Sequence, residues 1–388
     1  MPVKYITYKA KKIINVHKHV DAWFWDKYSA HPYIGCQHGC EYCYWRDEKY
    51  NMLARDATAQ DLDDPFSQCI KVKENAPELL EKELSKLPKD VIATGDYQPA
   101  ETNFRLSRKM LEVCLKLGFP VLINEKSPLL LKDLDLIKAI NEKTGACVIW
   151  SITYHASEGY LDKFEPSLFT IESRFTAMKK VADAGIMTGT AFMPILPFIC
   201  DSDENLEAVV KKTAENGGTF VLAASLTMSG AQATRYIQTL AKHYPNLVER
   251  HKQLYDEGYS PKREYSGRVG RKVKELCERY GILDRMPRHI QPGITSVNKR
   301  VAEKLFNETY CMEIKCENPY KIWAYRKAAW SIDEFKDSIE SLYNNLGRNG
   351  LKTIPGAGET LSLEIEKEIQ GLQQGAMKVR HSPETIPN

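Results

Sequence analysis

Gly35-Cys36-Gln37-His38-Gly39-Cys40-Glu41-Tyr42-Cys43-Tyr44 places three thiols within eight residues, spaced C-x3-C-x2-C. One loop with that spacing can wrap a single inorganic centre with every sulfur turned inward. A cubane iron-sulfur cluster has four irons, so three thiolates leave one iron without a protein ligand and open to chemistry. The competing reading is a zinc ion held by Cys36, Cys40, Cys43 and His38, since zinc accepts three sulfurs and one imidazole nitrogen. Structural zinc loops usually pair two short hairpins, and no second Cys-x2-Cys is present. A chance gathering of thiols in a core fits poorly with Gly35, Gln37, Gly39 and Glu41 as company.

Downstream of the loop, short apolar segments alternate with amphipathic ones. Tyr33-Ile34 reads as a first strand leading into the loop. Further strands are expected at Val91-Ile92-Ala93-Thr94, Val121-Leu122-Ile123, Val148 to Ile152, Thr190-Ala191-Phe192-Met193 and Phe220-Val221-Leu222-Ala223. Helical spacing fills the gaps, as in Leu106, Met110, Leu111, Cys114 and Leu115, or Leu134, Ile137 and Ile140. This alternation predicts an α/β fold with a parallel sheet, and six strand-helix units are what a partial (β/α)6 barrel requires.

In such barrels chemistry collects at the C-terminal ends of the strands. The residues there are Thr94-Gly95-Asp96-Tyr97-Gln98-Pro99, Asn124-Glu125-Lys126-Ser127, and Ser151 with Thr153. Each also has a local reading: Asp96 as a turn cap, Lys126 as a solvated charge, Ser151 bonded to its own backbone.

The loop, with Tyr42 before its last cysteine, resembles the cluster loop of radical S-adenosylmethionine enzymes. His31-Pro32-Tyr33-Ile34-Gly35-Cys36, His38-Gly39-Cys40 and Tyr42-Cys43-Tyr44 look more narrowly like the group related to spore photoproduct lyase, the DNA repair photolyases. That resemblance implies a 4Fe-4S cluster on Cys36, Cys40 and Cys43 and S-adenosylmethionine as cofactor. Its pocket would be lined by Gly95, Asp96, Lys126, Ser151 and the strand end at Met193-Pro194, with the lysine on the cofactor carboxylate and the serine or aspartate on ribose hydroxyls. An external electron donor, flavodoxin or ferredoxin, is also implied.

Ala93 stands where the lyase has the cysteine that returns a hydrogen atom. Tyr97 and Cys200 are the candidate substitutes in that catalytic role, although Cys69, Cys114, Cys147 and Cys200 all sit in or beside apolar segments and read first as packing residues.

Residues 246–289 read as helices with a basic surplus that includes Arg271 and Lys272, either a solvated face or a phosphate-binding one. Met286-Pro287-Arg288-His289-Ile290-Gln291-Pro292-Gly293 breaks the pattern and marks a linker, placed at 289–296. Residues 297–372 are helical without strand signals. The turn Ile354-Pro355-Gly356-Ala357-Gly358 lies between two helices, where glycines can aim consecutive N-H groups at a phosphate. With Glu317-Asn318-Pro319-Tyr320-Lys321 and Ala324 to Ala329, this region resembles the helix-hairpin-helix domain at the N-terminus of X-family DNA polymerases. Duplex DNA, gripped by its backbone with Gly356 and Gly358 at the turn, is therefore the expected partner. Glu364 falls where some members carry a Schiff-base lysine, so that lyase activity is not expected. Cys311 and Cys316 read as structural.

Residues 1–30, with Trp23-Phe24-Trp25 and Tyr28, are expected to cover the open end of the barrel, with stacking on a flipped base as the alternative. The barrel with its helical extension spans 31–288, and a disordered tail 373–388. The chain has 388 residues, 43% of them hydrophobic and 27% charged, with a net charge of only +3. Any nucleic-acid surface must then be a local patch. Ten cysteines without an apolar leader segment point to a reducing, cytoplasmic setting, and no apolar run is long enough for a membrane span.

Overall fold

The computed structural model describes residues 3–50, 53, 56–155, 161–166, 169–256 and 258–380. The chain divides into two compact units, residues 1–287 and 288–388.

In the first unit the ten strands among the described residues form two sheets. They are β1 (Lys4–Tyr8), β2 (Ile14–Val16), β3 (Tyr28–Ala30), β4 (Tyr33–Ile34), β5 (Cys69–Lys73), β6 (Ile92–Ala93), β7 (Val121–Glu125), β8 (Ala146–Ser151), β9 (Met187–Ile195) and β10 (Val221–Ser225). The larger sheet runs β10-β9-β8-β7-β6-β3-β2. Every neighbouring pair from β3 to β10 is parallel, and only β2 is antiparallel. β8 shows why the centre of the sheet is readable from sequence: Ala146 to Trp150 are all buried, the continuous apolar run of a strand covered on both faces. Crossover helices supply the cover. The helix Leu106–Leu117 buries Leu106, Met110, Leu111, Val113 and Cys114 and stops at Gly118, whose φ of +70° suits the left-handed cap.

Two expectations need correction. The strand of the main sheet that precedes the cysteine loop is β3, not Tyr33–Ile34. Those two residues pair antiparallel with β5 in a separate sheet ordered β1-β5-β4. Residues 1–30 are accordingly not just a cover, because they contribute one strand to the small sheet and two to the large one. β3 is only three residues long and fully buried, too short to show any alternation. Within the aromatic group Trp25 is buried, its Nε1 donating to the Met286 carbonyl at 2.8 Å, while Trp23 and Phe24 are half-buried and the Arg285 guanidinium lies 4.3 Å from the Trp23 ring centroid.

In the second unit, Ser296–Ile314, Pro319–Asp333, Ile339–Leu351 and Glu359–Arg380 are helical. Asn298, fully buried, locks the first of these to the turn before the third: its amide donates to the carbonyls of Phe335 (3.1 Å) and Asp337 (2.7 Å) and accepts from the Ile339 N-H (3.0 Å). Asp333 gathers Arg288 at 2.5 Å and Lys299 at 2.9 Å. The last helix is described to Arg380, past Gln373, where the tail is expected to begin. The segment Ser382-Pro383-Glu384-Thr385-Ile386-Pro387 lies outside the described residues. Among the described residues no helix is long and apolar enough to cross a membrane.

Candidate functional site

Because β3 and β6 to β10 are parallel, the residues that come after them gather at one end of the sheet. The cysteine loop comes after β3 and β4 there. Its backbone is held by Arg46 just beyond it and by groups from distant segments. Gln98 accepts from the Gln37 N-H (2.9 Å) and donates to the Gly35 carbonyl (3.1 Å). Arg46 donates to the carbonyls of Cys40 (2.7 Å) and Gly39 (2.8 Å) while pairing with Asp64 at 2.8 Å. Gln232 donates to the Tyr42 carbonyl (3.1 Å), and the Glu41 N-H donates to the Phe164 carbonyl (2.8 Å).

Gly35 is required on two counts. Its φ is +88°, and a Cβ would stand 2.4 Å from the Cys69 carbonyl oxygen and 3.0 Å from that of Phe66. The loop enters through a passage only a glycine can occupy.

Burial pushes the thiols of Cys36 and Cys40 up, that of Cys40 against the opposing pull of Lys126, Arg174 and Arg46, and that of Cys43 up to about 12. The thiol of Cys36 is raised further by both other cysteines and that of Cys43 by Cys40, so the three lie within electrostatic reach of one another. Among the described residues, no three His, Cys, Asp or Glu side chains stand ready-made as a metal site. The fit to an iron-sulfur cluster therefore rests on the donor set and its loop: three sheltered thiols on a glycine-threaded turn, for which a cationic centre would favour the thiolate forms.

Beside the loop lies a charged cluster centred on Glu165, whose side chain is wholly buried. It accepts from Lys126 (2.8 Å) and Thr153 (2.9 Å) through Oε1 and from Arg174 (2.8 Å) through Oε2, with the Tyr42 hydroxyl also hydrogen-bonded to Oε1. Burial alone would raise this carboxyl, but Lys126 and Arg174 outweigh it and hold it well below the usual carboxylate range. Lys126 is also 2.9 Å from the Tyr42 hydroxyl.

Glu125, the last residue of β7, behaves in the opposite way. Burial pushes its carboxyl up to about 7 even though the N-H groups of Tyr97, Lys126 and Ser127 donate to it. His38 Nε2 stands 4.0 Å from it, and burial together with Lys126 and Arg174 lowers that imidazole to about 4.

The other expected residues fall as follows. Gly95 has φ +94°, and Asp96 lies 3.0 Å from His31 Nδ1. Ser151 Oγ donates to Asn124 Oδ1 at 3.2 Å, and Met193, near the end of β9, is half-buried. Tyr97 is 1% exposed and its hydroxyl donates to Asp133 (3.0 Å). Cys200 is 2% exposed, with its thiol pushed up chiefly by burial. Both candidates for hydrogen return are thus enclosed.

Cys69, Cys114 and Cys147 are buried as packing predicts. Glu165 and Arg174 are not foreseeable from sequence, since neither belongs to a motif. Glu125 stands out there only as a neighbour of Lys126.

On the basic helix Arg263–Tyr280, Arg271 is exposed and Lys272 pairs with Asp203 at 2.9 Å. In the second unit, Gly356 has φ +87° and a Cβ there would lie 3.2 Å from the Ala328 nitrogen, so the turn is pressed against the helix Pro319–Asp333. Gly358 has open space around it, and Glu359 beside it pairs with Arg348 at 3.0 Å and with Lys352 at 2.5 Å. Tyr325 donates to Glu364 at 2.7 Å.

Residues 297–372 match the helix-hairpin-helix domain family. An uncharacterized protein of Mycobacterium tuberculosis is 26% identical over 260 residues, 66% of this chain and 74% of that one. An uncharacterized protein of Methanocaldococcus jannaschii is 32% identical over 203 residues, 51% of this chain and 70% of that one. Among solved structures, the cobalamin-dependent S-adenosylmethionine radical enzyme OxsB aligns over 90% of this chain and 54% of its own length, at 11% identity and a TM-score of 0.34. That score is too low for the likeness to establish a shared fold.

Proposed function

We propose that this chain, which belongs to the same family as the uncharacterized protein of Methanocaldococcus jannaschii, is a radical S-adenosylmethionine enzyme acting on DNA. The observation that carries the reading is the placement of Cys36, Cys40 and Cys43: three sheltered thiols in one clamped loop, at the end of a parallel sheet where the strands deliver their polar residues. The sequential run of six parallel strands supports a partial barrel.

Cys36, Cys40 and Cys43 would hold the cluster. When bound, that group supplies the electron that cleaves S-adenosylmethionine to methionine and a 5'-deoxyadenosyl radical. The chain's own residues bind and orient. Glu125, raised to about 7 by burial, is suited to a cationic ammonium that would favour its charged form. Asp96, beside His31, and Ser151, beside Asn124, are hydrogen-bonding partners for hydroxyls. Lys126 remains the candidate for a cofactor carboxylate, shared with Glu165. Tyr42, Thr153 and Tyr97 are all buried, and such surroundings would help keep water from the reacting atoms. The match of 297–372 to the helix-hairpin-helix family supports DNA as the partner, and a lesion in a stack must be exposed before an enclosed site can reach it.

Anaerobic reconstitution with iron and sulfide tests the reading. The protein should take up iron and sulfide, and after reduction should release 5'-deoxyadenosine from S-adenosylmethionine. Cys36→Ser, Cys40→Ser and Cys43→Ser should each abolish that release. Stoichiometric zinc without iron uptake would overturn it in favour of a structural metal loop.

A further inference from the structure

We infer that the aromatic turn directly after the third cysteine is a stacking platform for an unpaired nucleobase, with Lys49 beside it for the phosphodiester; this rests on the proposed nucleic-acid substrate. The turn Tyr44–Arg46 is anchored by the buried Arg46, whose guanidinium is committed to the carbonyls of Gly39 and Cys40 and to Asp64. That anchor fixes Tyr44 and Trp45 to the cysteine loop itself. Yet Tyr44 remains 53% and Tyr50 45% exposed.

The three rings hold one another. Tyr44 and Tyr50 meet edge to face with centroids 5.3 Å apart, and Trp45 lies 5.7 Å from each. Lys49 Nζ stands 5.0 Å from the Tyr50 centroid and 5.6 Å from that of Tyr259, which is itself 52% exposed. On its inner side Trp45 meets His31 at 5.3 Å, and His31 holds Asp96 at 3.0 Å, so the platform adjoins the candidate cofactor pocket.

Rings with a cation among them suit a base and its phosphate; an aliphatic partner surface would ask for leucine, isoleucine or methionine at the same place. Aromatic rings accept any base, because every base has a π face. Asp47, hydrogen-bonded to Ser229, lies 3.5 Å from Lys49 and offsets part of its charge, so stacking should dominate over phosphate attraction.

The full chain, free of metal and cofactor, should bind a single-stranded thymidine tetranucleotide, measured by calorimetry. Trp45→Ala combined with Tyr50→Ala should weaken this binding by about tenfold or more. Trp45→Phe combined with Tyr50→Phe should largely restore it, which separates lost stacking from a disturbed loop. A tetranucleotide of abasic sites should bind weakly and equally to all three proteins. Equal affinity of the thymidine tetranucleotide for the parent chain and the double-alanine variant would overturn the inference, as would failure of the parent chain to bind it. The outcome is independent of catalysis: base-dependent binding without 5'-deoxyadenosine release would leave the platform standing and remove the enzyme, and the converse would do the reverse.

Discussion

Glu165→Gln isolates the charge at the centre of the site. The wild-type carboxylate joins Lys126 and Arg174, each at 2.8 Å, with Glu165 and Arg174 side chains both 0% exposed and Lys126 14% exposed. Glutamine keeps the shape and one acceptor, but it leaves two cations facing a neutral group. Removing one partner from a buried pair costs about 3–5 kcal/mol. For a unit of this size each kcal/mol lowers the melting temperature by about 2–4 °C, so a fall of roughly 10 °C is expected by calorimetry.

The pH dependence gives a second handle. Glu165 titrates below its ordinary value in the fold, so its stabilisation is present above the unfolded value near 4.5 and is lost as pH falls toward the depressed folded one. The gap between wild type and variant should hold steady from pH 6 to 8 and narrow only below about pH 4. Arg174→Met added to Glu165→Gln should recover part of the loss, since the wholly buried one of the two uncompensated cations is then gone and only the partly exposed Lys126 remains. Iron uptake should fall in the single variant as well, because Tyr42, bonded to Glu165, immediately precedes Cys43. A melting change below about 2 °C, or a second substitution that only worsens the first, would refute the ion-pair reasoning.

Gly35→Ala should abolish iron uptake while Gly39→Ala only reduces it. A Cβ at Gly35 meets a carbonyl oxygen at 2.4 Å, whereas at Gly39 its nearest neighbour is the Pro166 side chain at 3.3 Å; equal uptake by the two variants would count against the glycine-only passage. Glu125, raised to about 7 from 4.5, retains its proton in the fold after the unfolded chain has lost it. It should therefore cost the metal-free protein about 3 kcal/mol as pH rises from 4.5 to 7. Glu125→Gln should remove that slope in denaturant titrations at pH 5 and pH 8, and an unaltered slope sinks the assignment. Gly358→Glu, at a position with open space, should leave melting unchanged and weaken duplex DNA binding about tenfold at low salt. Unchanged affinity would remove the turn from the DNA-binding surface.

The main sheet is legible where strands are long enough to be apolar throughout, as in β8, and the cysteine loop is legible because its spacing has few other uses. β3 escapes notice because three residues show no period. Glu165 escapes for a different reason: a lone acidic residue reads as solvated, and its partner Tyr42 is 123 positions away. Arg174 lies on the face of the helix Ile171–Asp183 that also buries Phe175 and Met178, where sequence alone suggests a solvated charge. Only the fold brings those opposite charges together, and with them the reason Lys126 is held at the loop. The last helix is legible through Ile365 and Ile369, which bury one face of it, whereas its polar turns from Gln373 carry no apolar period by which to read them.

The most direct measurement is 5'-deoxyadenosine release by the reduced, reconstituted protein with no nucleic acid, with UV-irradiated duplex DNA and with transfer RNA. A DNA-directed radical enzyme should release it in all three and fastest with irradiated duplex, accompanied by a mass change in that DNA. Release that is absent throughout, or that rises only with transfer RNA, would contradict the central claim.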